Sequence, residues 1–158
     1  MMRSLPLVVL LVVLVADTQS AALTSPSPDF ILPGVGMGPV RIGMPVAAAE
    51  NARRQMVCGY AVTIFAHDGL VSRVETNCGG ALQTPDGIQA GSTITEVLAA
   101  HGKPDAVVKD EVYEHGTAYW FNYRSGIGFR AVVFGPTPDH TVITTIAVWK
   151  PQAHYNGR

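Results

Sequence analysis

The sequence predicts an α+β fold made of two related halves, each a short helix followed by an antiparallel meander. Three observations predict it. A glycine-led helix start recurs 48 residues apart, at Gly43-Met44-Pro45-Val46 and again at Gly91-Ser92-Thr93-Ile94. Strand-like runs are grouped after each helix instead of alternating with helices one by one, which favours an antiparallel sheet over parallel βαβ units. The two cysteines, Cys58 and Cys78, sit at the open ends of a hairpin-like stretch. One continuous sheet carrying the helices on one face is the arrangement open to such halves.

The elements follow in chain order. Residues 1–22 read as a signal peptide: Arg3 precedes an apolar core from Leu5 to Ala16, then come polar residues and Ala21-Ala22. Cleavage after Ala22 fits best, and cleavage after Ala16 or Ala21 is also open. The apolar core is interrupted by Pro6 and falls short of the ~20 residues that span a bilayer. With no cysteine near the cut, the sequence predicts export to the periplasm or beyond, with no stable membrane anchor. Residues 23–33, with Pro26, Pro28 and Pro33, read as an extended lead-in.

Residues 34–83 form the first half-repeat. Gly34-Val35-Gly36-Met37-Gly38 reads as a flexible approach, because no Lys-Ser/Thr follows to make a phosphate loop. Pro45 suits a first helical turn. Residues 84–151 form the second half-repeat. There Thr93-Ile94-Thr95-Glu96 is a capping box, Ile94, Val97, Leu98 and His101 share one helical face, and Gly102 with Pro104 stops the helix. Strands are expected over 118–124, 127–134 and 141–149, with turns at 125–126 and 135–140 and a short further piece near 112–114. Residues 152–158 are a tail.

An even cysteine count in an exported chain makes a disulfide the default. Strand-like residues 59–66 and 70–77 flank His67-Asp68-Gly69, and Gly69 suits the left-handed position of a three-residue loop. If Ala66 pairs with Leu70, then Ile64 faces Ser72, Val62 faces Val74, Tyr60 faces Thr76 and Cys58 faces Cys78. Directly opposed residues lie within disulfide reach.

Composition bounds the function. The 158 residues carry 11 Lys+Arg, 12 Asp+Glu and a net charge of −1, with 15% charged residues. Low charge with 47% apolar residues excludes a disordered chain. Near-neutral charge argues against a nucleic-acid partner. The first 22 residues hold 15 of the apolar ones, so the remainder has an ordinary composition.

No catalytic, cofactor or metal motif is legible. His67, His115, His140 and His154 fall in apparent loops or the tail, and His101 fits a partly buried helix residue. There is no HExxH, no HxH and no GxSxG. Asp110, Glu111 and Glu114 read as solvated surface. The sequence therefore predicts a non-enzyme.

Strand alternation separates two faces. Tyr119, Phe121 and Tyr123, then Ile127, Phe129, Ala131 and Val133, then Val142, Ile146 and Val148 are assigned to the core. The opposite side carries Trp120, Asn122, Arg124, Arg130, Thr145 and Trp149. An antiparallel sheet can leave that face to solvent. Tryptophan and arginine there have the composition of an interface hot spot, so Trp120, Asn122, Arg124, Arg130 and Trp149 are the candidate binding residues.

Gly-Pro-Val-Arg-Ile-Gly-Met over 38–44, Thr84-Pro85-Asp86-Gly87-Ile88-x-x-Gly91, Gly102-Lys103-Pro104 and Gly126-Ile127-x-Phe129 together resemble a group of exported bacterial proteins. Their fold is similar to that of the β-lactamase-inhibitor protein and of small outer-membrane assembly lipoproteins of the SmpA/OmlA type. The resemblance covers roughly 34–151 and implies a module that binds other proteins and carries no catalytic residues. The chain lacks the lipidated cysteine of the lipoprotein branch. The function expected is thus a non-catalytic protein-binding module whose partner is another exported or envelope protein. A structural envelope factor, or a hydrolase with an unrecognised site, is the alternative.

Overall fold

The computed structural model describes residues 30–134 and 141–151. The expected leader, residues 23–29 of the lead-in, the turn 135–140 with His140, and the tail with His154 lie outside the described residues.

The α+β expectation, with helices on one face, is corrected. The described chain is mostly β, in two antiparallel sheets of three and six strands, with two eight-residue helices. A helix of that length spans only roughly 12 Å, too little to form a layer over a six-stranded sheet. Two segments form more strand than expected. The first holds β1 (Ile31–Leu32), β2 (Gly36–Met37) and β3 (Val40–Arg41), a small antiparallel sheet. Ile31, Met37 and Val40 are completely buried, so the end of the expected lead-in belongs to the core.

Helix α1 (Val46–Arg53) and a 3₁₀ turn (Gly59–Ala61) lead into β4 (Val62–His67) and β5 (Leu70–Thr76). Helix α2 (Ile94–His101) precedes β6 (Ala106–Tyr113), β7 (Gly116–Tyr123), β8 (Ile127–Val133) and β9 (Ile143–Trp149). The large sheet has the order β4-β5-β9-β8-β7-β6, so the last strands of the two halves, β5 and β9, pair inside it and join the halves. The second unexpected strand is β6, where a short piece near 112–114 had been expected. Val107, Val108 and Val112 are β-branched residues suited to an edge strand, and pairing with β7 outweighs the local charges.

The glycine-led recurrence has a structural counterpart. Gly43 N–H donates to Val71 O (2.7 Å), Val71 N–H to Met44 O (2.8 Å), and Val46 N–H to Gly69 O (3.1 Å). In the second segment Gly91 N–H donates to Ile143 O (2.8 Å), Ile143 N–H to Ser92 O (2.7 Å), and Ile94 N–H to Thr141 O (2.9 Å). Each helix start is thus tied to the first residues of its half's final strand. The pairs Val74↔Val148 and Thr76↔Ile146 exchange under this correspondence, so a local two-fold passes through Glu75↔Ala147. The expected capping box forms as well. Glu96 N–H donates to Thr93 Oγ1 (3.2 Å), and Thr93 N–H donates to the Glu96 carboxylate (2.6 Å).

The hairpin differs from expectation in register. His67 pairs with Leu70 around a two-residue turn, with Asp68 at φ 51° and Gly69 at φ 74°. Two successive left-handed residues match the strand twist and favour Asp-Gly. A bulge between Phe65 and Ala66 then sets Ile64 opposite Val74 and Val62 opposite Thr76. The disulfide joins Cys58 and Cys78 all the same, with Cα atoms 6.2 Å apart. The 3₁₀ turn makes this possible by folding the chain back before β4, so the two cysteines need no direct strand pairing.

A second register shift, around Thr144, sets Thr145 opposite Arg130 and Ile143 opposite Ala131. Ile143 is therefore the buried residue and Val142 is exposed, the reverse of the expected alternation. Behind the sheet, Val74, Ile127, Phe129, Ile146 and Val148 pack with Ala49 of α1 and with Ile94 and Val97 of α2.

Candidate functional site

The pairing register maps the sheet face opposite this core. Thr63, Glu75, Ala147, Gly128, Asn122 and Ala106 form one straight row across all six strands. Beside it, Phe65, Arg73 and Trp149 pair in sequence on one side. On the other side, Thr145, Arg130, Trp120 and Val108 do the same. Trp120, Asn122, Arg130 and Trp149 therefore share a face, as the alternation predicts. Arg124 lies just beyond β7, where it is exposed and paired with Asp105 at 3.1 Å.

Exposure is where the expectation needs correction. Asn122 and Trp149 are buried, at 4% and 8% exposure, and Trp120 and Arg130 are partly covered. The cause is the row of small residues. A Cβ on Gly128 would stand 2.8 and 2.9 Å from Trp149 ring atoms and 2.5 Å from Asn122 Oδ1. With no side chain there, the Trp149 ring and the Asn122 amide both close over Gly128.

Arg73 is the residue missed in the sequence. Its guanidinium carbon lies 4.7 Å from the Trp120 ring, 5.8 Å from Phe65 and 6.0 Å from Trp149. These are cation–π distances. The same group pairs with Glu75 at 2.6 Å. Burial pushes the Glu75 carboxyl above its ordinary pKa, while Arg73 and Arg130 pull it back. The only sequence signal is an arginine two residues before a glutamate on the polar side of a strand, which many solvated hairpins share.

Arg130 forms a second ion-pair group. Its Nε donates to Asp110 at 2.6 Å, and Nη2 donates to Glu111 and to the Tyr113 hydroxyl at 2.8 Å each. Tyr113 OH also donates to Glu111. Burial works against the charge on Arg130, but the bonds to Asp110 and Tyr113 outweigh it, and its pKa rises. Asp110 and Glu111 are thus ion-pair partners and not simply solvated surface. They lie where the β6–β7 register shifts between Lys109 and Val112.

Next to Arg73 and Glu75 the face carries a hollow of ≈ 300 Å³ bordered by Tyr60, Thr63, Asn77 and Thr145. The Cys58–Cys78 bond brackets it, with Tyr60 in the 3₁₀ turn just after Cys58 and Asn77 just before Cys78.

The histidines are placed elsewhere. His101 packs against Tyr123 and Phe129, with ring centroids 5.4 and 5.0 Å away, and its Nε2 lies 3.3 Å from Asp86. Thr84 donates its hydroxyl to the same carboxylate. Tyr123 donates to Gly102 O at 2.9 Å. Burial, then the nearby Asp105 charge, pushes the Tyr123 phenol up to about 12. His67 and His115 are exposed and paired only with neighbouring carboxylates. Among the described residues no three His, Cys, Asp or Glu side chains come together to hold a metal ion, and no helix is long and apolar enough to cross a membrane.

Comparison with family models, curated proteins and solved structures finds no match for the chain.

Proposed function

We propose that this chain is an exported, non-catalytic binding protein that holds another exported or envelope protein on the sheet face opposite its core. The observation that carries this reading is the Arg73 guanidinium, held among Phe65, Trp120 and Trp149 and paired with Glu75. Arginine and tryptophan dominate interface hot spots. Side chains already fixed by ion pairs and ring contacts lose little freedom on association, which favours affinity. The Arg130 group beside them supplies hydrogen-bonding charge at the border of the same patch.

Export is supported by the disulfide and by the leader pattern of residues 1–22. The resemblance carried by 38–44, 84–91, 102–104 and 126–129 points to the same class of non-catalytic binder. Affinity capture from envelope extract tests the proposal, using Arg73→Ala and Trp120→Ala beside the unaltered chain. Loss of one shared partner band in both variants, with each variant still melting cooperatively as a folded protein, is expected. The same bands from all three proteins would remove the proposal.

A further inference from the structure

We infer that the hollow bordered by Tyr60, Thr63, Glu75, Asn77 and Thr145 is a subsite for a neutral sugar ring of an oligosaccharide. The hollow adjoins the Arg73 patch and shares Glu75 with it, but its test does not depend on the protein partner. Its volume of ≈ 300 Å³ lies at the small end of small-ligand clefts, which run roughly 300–1,000 Å³.

Glu75 is the only charged group among these five residues, and one of its carboxylate oxygens is held by Arg73 at 2.6 Å. An ionic ligand would meet a charge already neutralised. The other oxygen can still accept. The Thr63 and Thr145 hydroxyls and the Asn77 amide have no hydrogen-bond partner among the described residues. Hydroxyls donate and accept, and an amide offers two donors and two lone pairs. Such mixed capacity in a small space matches the vicinal hydroxyls of a pyranose, each of which also donates and accepts.

Tyr60 supplies the apolar complement. Its side chain is 87% exposed and its ring leaves a face free for the C–H side of a sugar. An exposed tyrosine on a mobile loop would lose that use. Here the residue sits in a 3₁₀ turn closed by the Ala61 N–H to Cys58 O bond (2.9 Å) and pinned by the disulfide to the segment carrying Asn77. The staple therefore sets the distance between the stacking ring and the hydrogen-bonding groups.

The test is a titration of the isotope-labelled oxidised chain with tetra-N-acetylchitotetraose and with cellotetraose, read by amide chemical shifts. Saturable shifts at Tyr60, Thr63, Asn77 and Thr145 are expected at millimolar sugar with at least one of them. Tyr60→Ala and Asn77→Ala should each weaken binding by roughly tenfold, and Tyr60→Phe should keep it. Both positions are exposed, so melting temperatures should not move. Reduction of the disulfide should weaken binding in the same titration. The inference is overturned if neither sugar gives saturable shifts, or if the shifts map outside the hollow.

Discussion

Reducing the Cys58–Cys78 bond should lower the melting temperature by about 13 °C. The bond joins residues 20 apart in sequence. In the chain-entropy account a loop of that size removes roughly 11 cal/mol/K from the denatured ensemble, or about 3.3 kcal/mol at room temperature. A folded unit of roughly 120 residues melts with an entropy of about 250 cal/mol/K, and the ratio of the two gives the shift. Reduction removes no side chain from the two buried positions, each 7% exposed, so the entropy of the opened loop dominates the change. Calorimetry of the chain with and without a phosphine reductant gives the number. The double variant Cys58→Ala with Cys78→Ala should melt near the reduced protein and ignore reductant. A shift below about 4 °C would refute the reasoning. It would mean that the turn is already held by Arg53, whose Nη1 donates to the carbonyls of Gly59 (3.4 Å) and Val62 (3.0 Å).

Three further outcomes are expected. Gly128→Ala should displace the Trp149 ring, lowering stability by about 1–3 kcal/mol and shifting tryptophan emission to the red; an unchanged spectrum would contradict the close approach of that indole to Gly128. His101→Ala should cost roughly 2–4 kcal/mol in urea unfolding by emptying the space beside Tyr123 and Phe129, and His101→Phe should recover most of it; equal losses in both would point instead to the Asp86 pairing. The Tyr123 phenol is raised from 10.0 to about 12, so the folded chain holds that proton more tightly than the unfolded one. Its contribution is full below pH 10 and is lost as pH rises through 12; the pH dependence of stability over that window should flatten in Tyr123→Phe.

Local chemistry made some features legible before any coordinates. The α2 capping box, the strand runs of β7 to β9, the Cys58–Cys78 pair and the shared face of Trp120, Arg130 and Trp149 all follow from residue type and alternation. Three others were not legible, for physical reasons. Register depends on bulges at Phe65/Ala66 and near Thr144, and a bulge leaves no distinct residue signature in either place. Strand β6 and the small sheet β1–β3 depend on tertiary pairing that outweighs charge and glycine content. The burial of Trp149 depends on Gly128, two strands' worth of chain away from any pattern around Trp149 itself. Arg73 shows the same limit. An isolated arginine in a hairpin has no special signal until β9 and β7 bring Trp149 and Trp120 to its guanidinium.

The most direct test of the central claim is photo-cross-linking from the sheet face. A photoreactive residue placed at position 108, which pairs with Trp120 on the same face and leaves that tryptophan in place, and as a control at Leu98 on α2, is activated with the chain in envelope extract. Leu98 is exposed on the opposite side of the core. One discrete protein adduct from position 108 is expected, none from position 98, and loss of that adduct when Arg73→Ala is added. No adduct from position 108, or the same adducts from both positions, would contradict the central claim.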